Sequence, residues 1–460
     1  MPDHHLSLAV NGRERQLHRK LVTFQMPTGQ ELGNENDSRH PVKSWSAAIV
    51  GLGYVGLPTA LALYGQCPRI IGIDTSQQRL RDISSCRADL TDSYRRRLAA
   101  ALADGNLQLT DDPTAAVDAD AIIICVPTPV DSNHAPDLSA LRSACATAVE
   151  HAREGQTIIL TSTSFVGTTR ELLVDPLKQR GLRTGIDVFV AFSPERIDPG
   201  NPDHRQEETP RVVGGTTDEC SARAAWVIRH LTDVVYLVSS PEAAEATKLY
   251  ENTFRAVSLA LANEFADACG ALKLDPIEVT LAAGTKPYGF LGVFPGPGVG
   301  GHCIPCDPHY LLWQLGKQDQ PAPLIEQAMR SISLRPERVV ERADEELAET
   351  GQELNGSRVI VVGVSYKAGV QDLRESPALP IIAGLMHRGA DVHYYDPLVP
   401  DVRLDDGWQM SSEAAPCGAE WDLAVIHTVH PGLDYSWAED CPLVLDATYQ
   451  FDGASNRAVV

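Results

Sequence analysis

The stretch "AAIVGLGYVGLPTALALYG", Ala47 to Gly65, leaves a chain few ways to fold. A short apolar run meets Gly51, Gly53 and Gly56, after which apolar residues recur at helical spacing. That order fits a strand, a tight glycine turn and a helix. In this context G-x-G-x-x-G sets a helix N-terminus, with its unpaired N–H groups, beside bound phosphates. Gly51 permits the turn, Gly53 lets a pyrophosphate approach the backbone, and Gly56 lets helix lie on strand. Tyr54 and Val55 lie in the same turn. The next strand-like run, "RIIGID", ends on Asp74. A carboxylate there accepts hydrogen bonds from both ribose hydroxyls and repels an additional phosphate. These residues predict a site for NAD rather than NADP; a glycine turn in an unrelated α/β fold is the alternative.

Strand-like runs continue at "AIIICVP", "TIILTST", "DVFVAFSP" and "PRVVGG", with helical stretches between most of them. Such alternation implies a parallel sheet covered on both faces. From Pro241 to Gly270 there is one long helical pattern with no interior Gly or Pro, too long for a simple crossover. A Gly/Pro-rich segment, Thr285 to Pro308, reads as a structured loop. "SRVIVVGVSYKAGVQDLRESPALPIIAGLMHRGADVHYYDP" then repeats the strand–turn–helix–strand theme, and "DLAVIHT" and "PLVLDAT" add strands. "VVGVSYKAG" lacks the full glycine pattern, so no second dinucleotide is assigned. The expected fold is α/β, with two Rossmann-like doubly wound domains joined by a long central helix and a helical middle segment. The expected divisions are a flexible extension over 1–42, an NAD-binding domain over 43–238, a helical region carrying a cysteine pair over 239–352, and a second Rossmann-like domain over 353–460.

The chain carries a formal charge of −22, from 39 basic and 61 acidic side chains. That argues against nucleic acid or an anionic membrane surface as the main partner. An anionic substrate would then need a local group of Lys and Arg. No apolar run reaches the roughly 18 residues of a membrane span, and the first residues show no secretory signal. Ten scattered cysteines fit reduced thiols in a cytoplasm.

"GPGVGGHCIPCDPHY", Gly296 to Tyr310, places Cys303 and Cys306 between His302 and His309. A zinc site, a redox disulfide and a cysteine nucleophile all use such residues. Four zinc ligands would crowd into eight residues with two prolines and no second knuckle, so no metal is expected. A redox C-x-x-C usually opens a helix after a strand, whereas this one follows a glycine loop.

The stretches "VGLGYVGLP", "CVPTPV", "PDLS", "STSFVGTT", "AFSPERIDPGN", "EATKLYENTFRAV", "GPGVGGHCIPCDPHYL" and "GVSYKAGVQDLRESPAL" give the chain its resemblance. It resembles the UDP-glucose/GDP-mannose dehydrogenase family, and most of all the branch acting on UDP-N-acetylhexosamines. The likeness runs from about Ala47 to Tyr449. It implies an N-terminal NAD domain, a central helix that makes a homodimer, and a C-terminal nucleotide-sugar domain. It also implies that the C6 alcohol of a nucleotide-linked hexose is oxidised twice, through a cysteine thiohemiacetal and a thioester, to a uronic acid with two NADH.

By that resemblance Cys303 is the nucleophile and Cys306 fills space. Gly300 and Gly301 let the sugar lie against the backbone, and Asp307 helps hold a catalytic water. Lys248 and Asn252, spaced i, i+4 on one helix face, stabilise oxyanions. Thr163 orients water or the C6 hydroxyl, and Glu195 serves as base or assists in thioester hydrolysis. Thr128 lies beside the nicotinamide ribose, and Arg79 reaches toward the adenosine. Arg255, Lys286 and Lys367 are candidate diphosphate and sugar contacts; Arg374 fits an ion pair with Glu375 or Asp372 as well as a ligand. The branch usually has Tyr-Pro where Phe165–Val166 stand, and often Asn at Ser258. "DATY" lacks a usual Arg-Asn, and "RSISLRP" a common Asn. These departures leave glucose and N-acetylhexosamine, uridine and thymidine, all open. Two other readings compete: a two-electron dehydrogenase of the hydroxyacid or 6-phosphogluconate type, and a binding protein without activity.

Overall fold

The computed structural model describes residues 45–460 except 132, 197–205, 302, 405, 406, 452, 453 and 455. The expected extension over 1–42 lies outside the described residues. The chain divides into two units. The first holds described residues 45–252 and 306–321, the second 253–305 and 322–460.

Both faces of the first unit's sheet are covered, so its central strands read as unbroken apolar runs. In chain order they are β1 (Ser46–Val50), β2 (Arg69–Ile73), β3 (Leu107–Thr110), β4 (Ala121–Ile124), β5 (Thr157–Leu160), β6 (Phe189–Phe192), β7 (Arg211–Gly215) and β8 (Val235–Val238). In space they run β3-β2-β1-β4-β5-β6-β7-β8. Ile49, Ile123, Ile159 and Ala191 line one face of the sheet; Ala48, Ile122, Ile158 and Val190 line the other. Strand order reverses between β1 and β4, and ligands of such sheets bind at that switch point, beyond the strand ends.

The expectation of a parallel sheet needs one correction. β7 runs antiparallel to β6, with Ala191 opposite Gly215 and Phe192 opposite Gly214. β3 and β8 were also absent from the sequence reading. β3 is Leu-Gln-Leu-Thr, whose alternation breaks the apolar run that marked the other strands; β8 is Val-Tyr-Leu-Val, an apolar run that the reading passed over, and none of its four residues is fully buried.

The second unit has an all-parallel sheet in the order β10-β9-β13-β14-β15, and β11 with β12 as a separate antiparallel pair. Its strands are β9 (Arg358–Val362), β10 (Asp391–Tyr395), β11 (Asp401–Arg403), β12 (Gln409–Ser411), β13 (Leu423–Ile426), β14 (Val444–Asp446) and β15 (Arg457–Val459). Helix Pro323–Glu349 lays Val339, Val340, Ala343 and Leu347 on this core, beside Ile381 and Leu385 of helix Ala378–His387. The long helical pattern forms one helix, Pro241–Leu272, two residues longer than the sequence pattern indicated. No helix among the described residues is long and apolar enough to cross a membrane.

Candidate active site

In the first unit the glycine turn has the geometry its sequence requires. Gly51 sits at φ +89°, and a Cβ there would meet Cys125 O at 2.8 Å. A Cβ on Gly56 would meet Gly51 O at 1.8 Å. Nothing lies within 4 Å of the Cβ position of Gly53, which leaves its backbone open to a pyrophosphate. Tyr54 is exposed and Val55 half-buried, immediately before helix Gly56–Leu63. Asp74 is held beside this turn: Oδ2 accepts from Leu52 N at 2.8 Å and Oδ1 from Ser76 N at 2.8 Å. Arg79 Nε donates to Leu52 O at 2.8 Å, so it braces the turn. These residues fit NAD: open backbone and a helix start for the pyrophosphate, and a half-buried carboxylate for the ribose.

Several polar side chains of the candidate site in the same unit are buried. Lys248, Asn252, Asp307 and Glu195 are each less than a tenth exposed. Asn252 Nδ2 donates to Asp307 Oδ2, and Lys248 lies one helical turn before Asn252. Thr128 is buried, with its carbonyl accepting from Tyr310 Oη; Thr163 is half-buried. Glu195 accepts from Arg211 Nη1 at 2.5 Å and from the Arg196 N–H at 2.8 Å. Removing one partner from such a buried pair typically costs about 3–5 kcal/mol.

The loop carrying Thr163 is fastened on both sides. Glu245 accepts from the N–H groups of Gly167 (2.6 Å) and Thr169 (2.8 Å) and from Thr169 Oγ1 (2.6 Å). Burial pushes the Glu245 carboxyl above its ordinary range, against the hydrogen bonds that pull it down. Val166 N donates to Gln314 Oε1 at 2.9 Å, and Gln314 Nε2 donates to Val166 O at 2.7 Å. Phe165 lies against Trp313, ring centres 5.4 Å apart. This gives the Phe165–Val166 departure a physical reason, because a proline at 166 has no N–H to donate.

Helix Cys303–Gly316 begins at the candidate nucleophile. The segment read as a loop to Pro308 is therefore helical from Cys303 onward. A proline in a first turn needs no N–H partner, so Pro305 is no obstacle. Cys303 is exposed, whereas Cys306 is 5% exposed. His309 stacks on His134 with ring centres 4.2 Å apart, tying the loop after β4 to this helix. Burial, and then the neighbouring His134, lower His309 to about 4.

In the second unit Gly301 has φ +80° and donates its N–H to Arg374 O at 2.9 Å. A Cβ on Gly300 would meet Tyr366 Cβ at 2.5 Å and Glu375 O at 2.7 Å, so the chain's own packing requires glycine there. Arg374 is bidentate on Asp372, the structural alternative of the sequence reading. Arg255 is exposed and Lys367 half-buried. Lys286 is exposed, its Nζ 4.9 Å from the Tyr288 ring centre. Two other departures are explained locally: Ser258 Oγ bonds back to Phe254 O, and Tyr449 Oη accepts from Arg335 at 3.0 Å.

Sequence reasoning missed Arg211, Glu245, Tyr310 and Gln314. Arg211 did carry a signal, as a cation opening the apolar run "RVVGG"; the others look like ordinary helix residues.

Models of one family match successive parts of this chain. The UDP-glucose/GDP-mannose dehydrogenase NAD binding domain matches residues 46–232, the central domain 242–331 and the UDP binding domain 360–456. The chain is 36% identical over 360 residues to Protein CapL of Staphylococcus aureus, covering 78% of this chain and 82% of that one. It is 34% identical over 385 residues to a UDP-N-acetyl-D-mannosamine dehydrogenase of Pyrococcus horikoshii, covering 84% and 89%. A solved structure of the UDP-D-ManNAc dehydrogenase from Pyrococcus horikoshii matches with a TM-score of 0.81 at 30% identity, over 90% of this chain and 98% of that one.

Two outcomes are expected. Asp74→Ala removes charge-assisted bonds of about 1.5–3 kcal/mol. It should raise the KM for NAD roughly tenfold or more and narrow the gap to NADP, measured by steady-state kinetics with both nucleotides. The second concerns acid. An unfolded His titrates near 6.5, and burial holds both His309 and His427 at about 4. As pH falls through that window the unfolded chain gains protons that the folded chain refuses. Stability is therefore intact above about pH 6.5 and lost toward pH 4. His309→Phe keeps a flat ring against His134, so its melting temperature should fall less between about pH 7 and pH 5 than that of the parent. Equal losses in thermal melts would exclude His309 from the effect.

Proposed function

The chain belongs to the UDP-glucose/GDP-mannose dehydrogenase family, and on that premise we propose that it oxidises the C6 hydroxymethyl group of a nucleotide-diphospho-hexose twice, to the uronic acid. The observation that carries this reading is the buried Asn252–Asp307 hydrogen bond, with Lys248 one turn before Asn252 and Cys303 one turn before Asp307. The substrate class favoured is a UDP-N-acetylhexosamine, because a 34%-identical relative is a UDP-N-acetyl-D-mannosamine dehydrogenase. UDP-glucose and dTDP-glucose are the competing substrates.

NAD supplies the hydride acceptor when bound. Gly51, Gly53, Tyr54, Val55 and Gly56 hold its pyrophosphate, Asp74 and Arg79 its adenosine side, and Thr128 and Thr163 its nicotinamide side. The C6 hydroxyl gives its proton to the water held by Asp307 and Thr163, Lys248 and Asn252 stabilise the alkoxide, and the aldehyde forms as hydride leaves. The Cys303 thiolate then adds to the aldehyde carbon; a helix start favours negative charge at that position. Loss of a second hydride from the thiohemiacetal gives the thioester. Water, held by Asp307 and Thr163, attacks the acyl carbon and gives its proton to Glu195. The C–S bond breaks, and the uronate leaves Cys303 as thiolate. Four electrons depart, so two NADH form for each uronate. Arg255, Lys286 and Lys367 offset the substrate's negative charge, and Gly300 borders the sugar. The competing two-electron reading requires one NADH per product.

The proposed assembly is a homodimer in a cytoplasm, with no nucleic acid or membrane partner. Phe254, Leu261, Phe265 and Leu272 are exposed at i, i+7, i+11 and i+18, one apolar stripe on helix Pro241–Leu272. A second copy of the chain is the occupant that the family resemblance implies.

Intact-mass analysis of Cys303→Ser with substrate and NAD should show a stable sugar-nucleotide ester on residue 303, since an alkoxide leaves less readily than a thiolate. Cys306→Ala should keep most activity. An adduct on Cys306 would sink the assignment. Leu261→Asp places a charge in the apolar stripe and should convert dimer to monomer in light scattering; an unchanged mass would locate any dimer elsewhere.

A further inference from the structure

Arg211 opens β7, at the one antiparallel pairing in the first unit's sheet among the described residues. β6 and β7 pair antiparallel with Phe192 opposite Gly214. Each step forward from Phe192 is a step back from Gly214, so the register carried three residues on sets Glu195 opposite Arg211. The side chains meet there, Arg211 Nη1 on Glu195 Oε2 at 2.5 Å. In a parallel strand the first residue lies at the far end of the sheet from the strand ends that carry ligand-binding loops. Reversal of β7 brings a strand-opening cation to the edge that carries Glu195.

Arg211 is 1% exposed, and its Nε and Nη2 have no acceptor among the described residues. A guanidinium this buried is costly unless its charge is met, and Glu195 meets it. The nearby Arg196 is engaged elsewhere: its side chain donates to Glu251, and to Pro210 O at 2.9 Å. Its backbone N–H takes Glu195 Oε1. The carboxylate is thereby held at both oxygens, by Arg211 at Oε2 and by the Arg196 N–H at Oε1.

We propose that Arg211 is the positioning residue of the hydrolytic half-reaction, holding the Glu195 carboxylate in the one orientation that directs water onto the thioester. This rests on the reading of Glu195 given above. Arg211 touches no reacting atom; it acts through Glu195. The two hydride transfers do not need that carboxylate, so they should survive its misalignment.

The experiment compares Arg211→Lys, Arg211→Met, Glu195→Gln and the Arg211→Lys/Glu195→Gln double variant, each checked first for NAD affinity. A positioned general base contributes roughly 10²–10⁴-fold. Arg211→Lys and Arg211→Met should keep a rapid burst of two NADH per site within a few-fold of the parent, then turn over roughly 10²-fold more slowly. Intact mass should show an acyl adduct accumulating on Cys303. The double variant should be no slower than Glu195→Gln alone, because both substitutions remove one function. If Arg211→Met fails to bind NAD, Arg211→Lys decides. Glu195→Gln with an adduct but Arg211→Lys without one overturns the inference, as do burst and steady state falling together in Arg211→Lys. Glu195→Gln that turns over normally overturns the underlying reading of Glu195 instead.

Discussion

In each unit a carboxylate fixes a glycine turn by one hydrogen bond. In the first, the residue after Gly51 donates its N–H to Asp74, at the end of the next strand, at 2.8 Å. In the second, the residue after Gly363 donates to Asp396 at the same distance, and Gly363 has φ +78°. The turn leaves a backbone N–H with no place in either ladder, and a carboxylate from the neighbouring strand satisfies it. That bond sets where the first strand ends and where the following backbone points. The two sites then diverge. Asp74 keeps partial exposure, so it remains free to meet a ribose. Asp396 is fully buried, and its second oxygen accepts from Leu398 N and faces His430 Nε2 at 3.0 Å. His430 in turn accepts from Gly369 N at 2.9 Å, in the loop that carries Lys367. One device thus leaves a carboxylate half-exposed beside the glycine turn in one unit and braces a loop in the other.

The polar residues beyond the first unit's strand ends carry a cost that packing alone would not incur. Lys248, Asn252, Asp307, Glu195 and Arg211 are all nearly removed from water. Burying such groups is unfavourable unless each finds a partner. Asn252 with Asp307, and Glu195 with Arg211, are partners of this kind for four of the five. Fixed dipoles and charges in a dry environment stabilise developing charge far better than groups that must first reorganise.

Departures from the usual family pattern find local compensation. Val166 offers an N–H that Gln314 uses, and Phe165 fills space against Trp313. Tyr449 joins Arg335, which also holds Gly296 O and Asp267. Arg335 thereby ties the start of the glycine-rich segment to the long helix and to the last strands of the second unit. Substitution at one point is met by new bonds at another, so these positions fit together here without the side chains usual in the branch.

Much of the fold was legible in sequence because its signals are local. The glycines and Asp74 are a single strand–turn–helix–strand unit, and apolar runs mark strands that are covered on both faces. The long helix showed itself by an unbroken period. β3 escaped because its apolar residues alternate with polar ones, β8 was passed over although it is apolar throughout, and the reversal of β7 escaped because strand direction leaves no mark on local composition. The same division holds at the site. Candidate residues that belong to contiguous motifs, such as Lys248 with Asn252 or Cys303 with Asp307, could be named because those motifs carry the family resemblance. Arg211 opposite Glu195, Gln314 on Val166 and Glu245 on Thr169 were decided by tertiary structure alone. Each joins side chains far apart in the chain, and a hydrogen bond across a fold has no periodicity by which a sequence can announce it.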